Sequence, residues 1–449
     1  MCRPETSLRT NRITFKCPMV SNTFVVCIRF HGGARQVGNV KIVLEHFGTT
    51  LCLDYGALHS RSQNISEFPK VDAVAVSHAH ADHISGLPYA MRQNDGTKVF
   101  GTETSRKITG HQLEDLVKID ERENKASGAK QRFSLEEALA VKNAWTPVNY
   151  GEEVAYKDFK IRFLNAGHIP GSAITEVSCD NKTITYTGDI NLEGDLNGDV
   201  PALAALKKDP EVFIIESTYG NETRDDKHST EEKFVSVVEE AIKSGKKVFI
   251  PAFAIERIQR VAYLLDGIAG RHPDYEFYVA SPSYLAIKDI AYRALKLPNL
   301  KEVKTLPKDY DGRNTVVITT SGFCNGGISK SVFRRVVGRK DYTIILPSGY
   351  VPNDSPIKEA LDKGSVTFTD YSTGESFEKT VKADIKRVKL SAHSDMNGLV
   401  KIVEAVCPSK TSRIVLVHGE EAAQTRLGEE LKSRGYNVLA PALRDELQV

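Results

Sequence analysis

Ser77-His78-Ala79-His80-Ala81-Asp82-His83 is the stretch of sequence that decides the fold. It follows the apolar run 71–76, which predicts a short buried strand. Imidazole nitrogens and carboxylate oxygens are ligands that suit Zn²⁺ and similar ions. One ion cannot easily take four ligands from so short a loop. We therefore expect two adjacent ions, one bound by His78 and His80 and the other by Asp82 and His83.

This string resembles the H-x-H-x-D-H signature of the metallo-β-lactamase superfamily. Because one loop does not complete two metal shells, further ligands are expected at the ends of other strands. Three predicted strands, at 51–56, 161–168 and 183–189, carry residues that match the remaining superfamily motifs in chain order: Asp54, His168 and Asp189. Any one of them alone indicates little, since a strand-terminal Asp is usually a turn former.

The chemistry of these residues predicts their roles. Asp189 can bridge both ions because a carboxylate has two oxygens, and His168 would complete the shell of His78 and His80. Two roles stay open for Asp54, which would orient either a ligand histidine or the bridging water. Two metals about 3.5–4 Å apart can hold a hydroxide between them.

The second half of the chain resembles the β-CASP nucleases of this superfamily. Glu216 lies in Glu-Ser-Thr-Tyr-Gly, His393 in Ser-Ala-His and His418 in Val-His-Gly-Glu, and these match the three later family motifs. The closest likeness is to the nuclease subunit of the cleavage and polyadenylation specificity factor and its archaeal relatives; the bacterial J-type ribonucleases are the nearest competing branch. RNA-cutting members carry His at the third motif and DNA-cutting members carry Val. The resemblance therefore implies an RNA substrate, with His418 as a ligand of the second metal.

The resemblance implies a zinc-dependent ribonuclease with two Zn²⁺ ions, although Mn²⁺ could occupy an oxygen-rich second site. In this hypothesis a metal-activated hydroxide attacks phosphorus, and His393, oriented by Glu216, protonates the leaving 3′ oxygen. The products carry a 5′-phosphate and a 3′-hydroxyl. Endonuclease and 5′→3′ exonuclease activity both stay open. A small-molecule hydrolase of the lactamase or glyoxalase type is the alternative, and the later motifs argue against it, as they do against an inactive scaffold.

The segment between Glu216 and His393 alternates predicted strands with helices, which indicates a doubly wound parallel sheet. Such sheets bind ligands at the carboxyl ends of their strands, and glycine there lets backbone N–H groups approach phosphate. With the resemblance, this edge is expected to contact the RNA backbone through Arg257, Ser321, Gly322 and Gly349.

The expected fold class is α/β: a metallo-β-lactamase αββα sandwich with an inserted β-CASP doubly wound parallel-sheet domain. The predicted domains are an N-terminal extension at 1–22, the two parts of the lactamase-like domain at 23–208 and 383–449, and the β-CASP domain at 209–382. Met19 is an alternative start to Met1. Active-site residues flank the insertion, so the substrate is expected to enter between the domains.

Composition fits a globular enzyme of 449 residues, 41% hydrophobic and 26% charged. The net charge is only +2, so the overall charge does not by itself indicate a nucleic-acid-binding protein. The seven cysteines show no paired spacing, which is typical of a reducing cytoplasm. No apolar run suits a membrane helix. The expected partner is single-stranded RNA. A homodimer and RNA-processing partner proteins are left open.

Overall fold

The computed structural model of the protein describes residues 26–57, 68–128, 131–349, 351–352, 355–369 and 375–449. The predicted extension at 1–22 and the alternative start at Met19 lie outside these residues. In chain order the strands are β1 Cys27–Gly32, β2 Lys41–His46, β3 Thr49–Leu53, β4 Ala73–Ala75, β5 Lys98–Gly101, β6 Trp145–Pro147, β7 Glu153–Tyr156, β8 Phe159–Asn165, β9 Ala173–Cys179, β10 Lys182–Tyr186, β11 Val212–Glu216, β12 Lys247–Pro251, β13 Glu276–Ala280, β14 Lys301–Val303, β15 Thr315–Thr319, β16 Tyr342–Leu346, β17 Ser365–Thr369, β18 Ser376–Thr380, β19 Asp384–Arg387, β20 Arg413–Val417, β21 Asn437–Leu439 and β22 Glu446–Gln448.

The helices are α1 Ala81–Ile84, α2 Leu87–Gln93, α3 Glu103–Ser127, α4 Leu135–Ala144, α5 Lys227–Lys243, α6 Arg257–Ala269, α7 Pro282–Ala291, α8 Gly327–Val336, α9 Pro356–Lys363, α10 Met396–Val406 and α11 Glu421–Ser433. Local signals explain several of their starts. Ser134 and Glu137 form a capping box at α4, and the Asp395 side chain caps α10 by accepting a hydrogen bond from Gly398 N.

Within the described residues, two seven-stranded sheets pack face to face. Their strand orders are β22-β1-β2-β3-β4-β5-β6 and β21-β20-β11-β10-β9-β8-β7. Alternation along β8 shows why they pack. Phe159, Ile161 and Phe163 point into the shared core, whereas Lys160 and Arg162 point outward. Helices cover both outer faces, with α2, α3 and α4 on the first sheet and α10 and α11 on the second.

A third sheet follows a different rule. Its order is β14-β13-β15-β12-β16-β19, and every neighbouring pair is parallel. Helices α5, α6 and α7 pack on one face and α8 and α9 on the other, so its central strands are apolar on both sides. The small hairpin β17–β18 packs beside α9. The predicted α/β class and the predicted parallel sheet are both present.

Two elements differ from what the sequence pattern predicts. The pattern predicts a helix from about 285 to 295, but α7 spans Pro282–Ala291, because the Ser281 side chain accepts a hydrogen bond from Tyr284 N and so caps the helix earlier. The pattern also predicts one short strand after α11, but the chain forms two there, and the second, β22, pairs antiparallel with β1. The predicted domain limits stay predictions. Strand β11 falls in the predicted β-CASP range 209–382 but belongs to the second sheet, and β19 falls in the predicted lactamase-like range 383–449 but belongs to the third sheet.

The cysteines and the helices bear on two expectations from composition. Of the described cysteines, all are free and four are buried among apolar neighbours: Cys52, Cys179, Cys324 and Cys407. In the described part of the chain, no helix has the length and apolar character needed to cross a bilayer.

Candidate metal centre

The predicted metal-binding residues come from loops that leave the two packed sheets. Asp54 follows β3, the 77–83 loop follows β4, and the other three follow strands of the second sheet: His168 after β8, Asp189 after β10 and His418 after β20. Asp54 and His418 themselves have positive φ angles of 56° and 50°, which is uncommon for residues with a side chain. The strands therefore end abruptly and direct these side chains into one space.

Four donor atoms form what we call the first ligand group: His78 Nε2, His80 Nδ1, His168 Nε2 and Asp189 Oδ2. His80 Nδ1 lies 3.1 Å from the donor nitrogens of both His78 and His168, and Asp189 Oδ2 lies 3.4 and 3.6 Å from these nitrogens. In a tetrahedral zinc site with bonds of about 2.0–2.1 Å, ligand atoms stand about 3.3–3.4 Å apart. The spacing of the first ligand group therefore fits a zinc ion.

The second ligand group contains Asp82 Oδ2, His83 Nε2 and His418 Nε2. His418 Nε2 lies 3.2 Å from Asp82 Oδ2 and 3.3 Å from His83 Nε2. The wider His83–Asp82 separation is 3.9 Å. Asp189 Oδ2 lies 3.5 Å from His83 Nε2, so the same oxygen faces both groups. The other oxygen of Asp189 is buried without a hydrogen-bond partner and stands 3.4 Å from His418 Nδ1. A buried carboxylate in this state calls for a cation.

The protonation states of the two groups differ. Burial lowers the pKa of all three imidazoles in the first group, to about 3 for His80, so they are neutral and able to bind a metal. In the second group burial works in the same direction, but the nearby carboxylates, Asp189 first, raise the pKa of both imidazoles above its ordinary value. Burial alone would raise the pKa of Asp189, yet the surrounding imidazoles hold it well below its usual range. The carboxylates around the second group therefore favour positive charge there, which a metal ion would supply.

Asp54 lies behind His83. Its Oδ2 accepts hydrogen bonds from His83 Nδ1 at 2.7 Å, Ser77 Oγ at 2.7 Å and Tyr186 Oη at 2.9 Å, and its Oδ1 accepts one from Ser77 N at 2.7 Å. With Nδ1 occupied in this way, His83 presents Nε2 to the second ligand group. Of the two roles left open for Asp54, this contact favours orienting a ligand histidine.

Three other histidines are also fixed through the ring nitrogen that is not in a ligand group. The contacts are His78 Nδ1 to Ser77 Oγ at 3.0 Å, His168 Nδ1 to Ala392 O at 2.6 Å and His418 Nδ1 to Thr218 Oγ1 at 3.0 Å. Each contact determines which nitrogen is free to bind a metal, so the centre is preorganised.

His393 and Glu216 form a pair beside the two groups. His393 Nδ1 lies 2.9 Å from Glu216 Oε1, and His393 Nε2 lies 4.0 Å from Asp189 Oδ2. Glu216 is fully buried and also accepts hydrogen bonds from Ile190 N at 3.0 Å and Thr218 N at 3.2 Å. The carboxylate is thus rigid and holds the imidazole with Nε2 directed toward the metal centre.

Two family models match parts of the chain. The Zn-dependent metallo-hydrolase RNA specificity domain covers residues 378–441, which include His393 and His418, and the anti-Pycsar protein Apyc1 model covers residues 32–219. RNase aCSPSF2 of Saccharolobus solfataricus is 30% identical over 440 residues, which cover 94% of this chain and 85% of that protein. The chain belongs to the β-CASP ribonucleases of the metallo-β-lactamase superfamily.

Other relatives agree with the assignment to the β-CASP ribonucleases. A probable RNase, MJ4 of Methanocaldococcus jannaschii, is 28% identical over 94% of this chain and 100% of its own length. Subunit 3 of the cleavage and polyadenylation specificity factor of Dictyostelium discoideum is 25% identical over 91% of this chain and 55% of its own length. A crystal structure of a protein of unknown function from Enterococcus faecalis V583 has the same fold, with a TM-score of 0.57 and 14% identity over 95% of this chain and 100% of that one.

In this β-CASP ribonuclease, the residues predicted to contact RNA lie at the carboxyl edge of the third sheet. Arg257 begins α6, Ser321 and Gly322 follow β15, and Gly349 follows β16. Gly349 lies against Tyr219, whose Oη would be 3.0 Å from a Cβ at that position. Because the Tyr219 ring is 5.9 Å from the ring of His393, this edge adjoins the metal centre.

Sequence reasoning missed several residues that support the centre. Thr218 lies inside the quoted Glu-Ser-Thr-Tyr-Gly motif and Ser77 begins the quoted loop, so the signal was present for both. Arg224 had no local signal. Its guanidinium lies 4.6 Å from the centre of the Tyr219 ring, and it donates a hydrogen bond to the backbone carbonyl of His393. Only tertiary contact reveals that role.

Proposed function

We propose that this protein is a zinc-dependent ribonuclease that hydrolyses phosphodiester bonds of single-stranded RNA in RNA processing or decay. The observation that carries the proposal is that one oxygen of Asp189 lies within 3.6 Å of donor nitrogens from both ligand groups, with the His393–Glu216 pair beside them. Relatives named as ribonucleases cover nearly all of the chain, which supports RNA as the substrate.

We assign the two ligand groups to two zinc ions that share Asp189. The first group is rich in imidazole and suits zinc, and the second has more carboxylate character, which leaves room for Mn²⁺. When bound, the ions would supply Lewis-acid chemistry, activating water and neutralising charge on the phosphate. Asp54 acts as a positioning residue, since its contact with His83 Nδ1 leaves Nε2 free to bind metal.

His393 is the residue we assign to proton transfer. With Nδ1 bonded to Glu216, Nε2 carries the proton toward the leaving 3′ oxygen as the phosphorus–oxygen bond breaks. The products then carry a 5′-phosphate and a 3′-hydroxyl. Glu216 stabilises the charged imidazole before transfer and fixes the ring orientation, which is the role of the acid in a catalytic triad.

The edge of the third sheet is where we place the RNA backbone. Arg257 would supply charge, and the loops at Ser321–Gly322 and Gly349 would supply backbone N–H groups to phosphate oxygens. We infer that the third sheet and its helices form the β-CASP insertion, so the RNA enters between this layer and the two packed sheets. His418 supports RNA over DNA, as the family pattern implies. A cytoplasmic location, partner proteins and self-association remain predictions from the sequence.

The test is digestion of 5′-labelled and 3′-labelled single-stranded RNA by wild type, His393→Ala and His228→Ala, each with and without a zinc chelator. His228 lies exposed on α5, so its variant is a matched control that should keep full activity. Internal fragments that disappear with chelator and in His393→Ala would establish an endonuclease. Mononucleotides released from the 5′ end, lost under the same conditions, would establish an exonuclease. Zinc-loaded protein that leaves every RNA intact would refute the proposal.

A further inference from the structure

An aromatic pair lies at the carboxyl edge of the third sheet. Phe253 follows β12 and Phe323 follows β15, and these two strands are parallel neighbours, so both loops leave the same edge. The ring centres are 4.8 Å apart at an interplanar angle of 87°. Phe253 is 38% exposed, so part of its ring is open to solvent. Its ring lies on Gly322, where a Cβ would come within 3.2 Å of ring atoms. Glycine therefore lets this ring lie flat on the loop.

The pair is close to the metal centre. Ile255, two residues after Phe253, belongs to the same buried cluster as Ala79 and Ile169. Ala79 lies between two ligand histidines, and Ile169 directly follows a third. The loop that carries Phe253 is therefore packed, through Ile255, against the loops that carry the candidate metal ligands.

Unpartnered polar atoms accompany the pair. The Arg257 side chain is buried, yet its Nε and Nη1 atoms have no hydrogen-bond partner, and Nη2 is 3.6 Å from Glu256 Oε2. The buried Ser321 Oγ also has no partner. Arg257 is tied to the Phe253 loop, because Ile258 N donates to Phe253 O at 3.1 Å. Buried donors without an acceptor are costly, so these atoms point to an anion as their partner.

We propose that Phe253 and Phe323 form a stacking platform for one unpaired base of the RNA, and that Arg257 and Ser321 hold the adjacent phosphate. This inference rests on the proposed ribonuclease function. Every base has a face that can stack on an aromatic ring, so the platform selects unpaired RNA with little preference for sequence. In a duplex the base faces are already stacked on their neighbours and cannot reach the ring.

The test uses zinc-loaded protein in the His393→Ala background, which is expected to bind RNA without cutting it. Single-stranded oligonucleotides carry 2-aminopurine at successive positions, and its fluorescence reports stacking. One position should be quenched on binding. Phe253→Leu should abolish that quenching and raise the Kd for single-stranded RNA roughly tenfold, which is 1.4 kcal/mol and lies within the ~1–3 kcal/mol of one stacked base. Affinity for duplex RNA should not change.

Two further variants complete the design. Phe253→Trp should restore both the quenching and the affinity, which separates stacking from a general loss of structure. Tyr263→Leu removes another exposed aromatic, 55% exposed on α6, and should behave like the parent. If Phe253→Leu binds and quenches like the parent while wild type cleaves RNA, the platform is wrong and the ribonuclease function stands. If the parent does not bind RNA and wild type does not cleave it, both proposals fail.

Discussion

At the scale of single residues, Asp189 and Glu216 show how buried carboxylates are used differently. Asp189 has one oxygen facing both ligand groups and another without a hydrogen-bond partner, so its charge is available to metal ions. Glu216 has both oxygens occupied by backbone N–H groups and His393. A carboxylate with satisfied oxygens orients a partner, and one with a free oxygen binds a cation.

Glu216→Gln tests the orienting role. Both carboxylate oxygens accept from backbone N–H groups, so an amide must place its own donor against one of them, and the contact to His393 is disturbed. We expect kcat to fall by about 10²–10⁴-fold, the range for general acid–base catalysis, with the zinc content unchanged. Single-turnover cleavage and metal analysis measure both. Adding His393→Ala to Glu216→Gln should cost little more than His393→Ala alone. If the two substitutions lower kcat by independent factors that multiply in the double variant, Glu216 and His393 do not act as a pair.

Asp195 gives a prediction for pH. Burial raises its pKa to about 6, while its Oδ1 accepts hydrogen bonds from Asn197 N and Asp199 N. The folded protein keeps a proton that the unfolded chain, with a pKa near ~3.9, releases. This contribution to stability is complete below about pH 4 and is lost as the pH rises through about 6.

Asp195→Asn stays neutral at every pH and keeps an oxygen acceptor. We expect its free energy of unfolding to match wild type near about pH 3.5 and to exceed it by about 1–2 kcal/mol near about pH 7.5. Urea unfolding at several pH values measures the difference. A difference that is the same at both ends of the range would show that Asp195 does not titrate in this window.

At the scale of elements, the start of α10 connects helix capping to catalysis. Asp395 caps this helix, and its other oxygen accepts a hydrogen bond from Arg224 N at 2.9 Å. Arg224 in turn donates to the backbone carbonyl of His393. The cap therefore holds both the helix and the loop that carries His393, the residue proposed to transfer the proton.

Asp395→Ala and Ser134→Ala form a matched pair of cap deletions. Ser134 caps α4, which packs on the first sheet and carries no predicted site residue. Each variant should lose about 1 kcal/mol of stability, the usual value of an N-cap. Only Asp395→Ala should also lower kcat, because only that loss loosens His393. Thermal unfolding and RNA cleavage measure the two effects, and equal kcat values in both variants would contradict the link.

At the scale of the whole molecule, metal removal should weaken the protein without unfolding it at 25 °C. The candidate ligand histidines are already held by hydrogen bonds to neighbouring residues. Without the metal ions, however, the negative charge of Asp82 and Asp189 is no longer neutralised by them. A ligand at about 1,000 times its Kd stabilises by ~4 kcal/mol, so for a chain of this length chelation should lower Tm by about 4 °C. Far-UV circular dichroism should hardly change.

Adding Zn²⁺ back should restore the Tm of the chelated protein. Ca²⁺ and Mg²⁺ should not, because both prefer oxygen ligands and the centre is rich in nitrogen. Differential scanning fluorimetry measures all three cases, with His228→Ala as a surface control that shows the full shift. A Tm that is indifferent to chelator would indicate that the protein does not bind zinc at this centre.

Much of this protein could be predicted from its sequence. The candidate ligand residues are recognisable because their spacing is local, as in His78–His83, or because each ends an apolar run, as do Asp189 and His418. The resemblance to the metallo-β-lactamase superfamily implied the two packed sheets. The alternation of predicted strands and helices predicted the parallel sheet, because that order is typical of doubly wound folds.

Tertiary structure decided the rest. The sequence does not show that a single oxygen of Asp189 faces both groups, that Asp54 holds His83, that Arg224 reaches His393, or that Phe253 lies exposed on Gly322. Each of these contacts joins residues far apart in the chain. Their geometry depends on how the sheets pack and where the loops meet. A local pattern of residues does not determine the distance between two loops that are far apart in the chain.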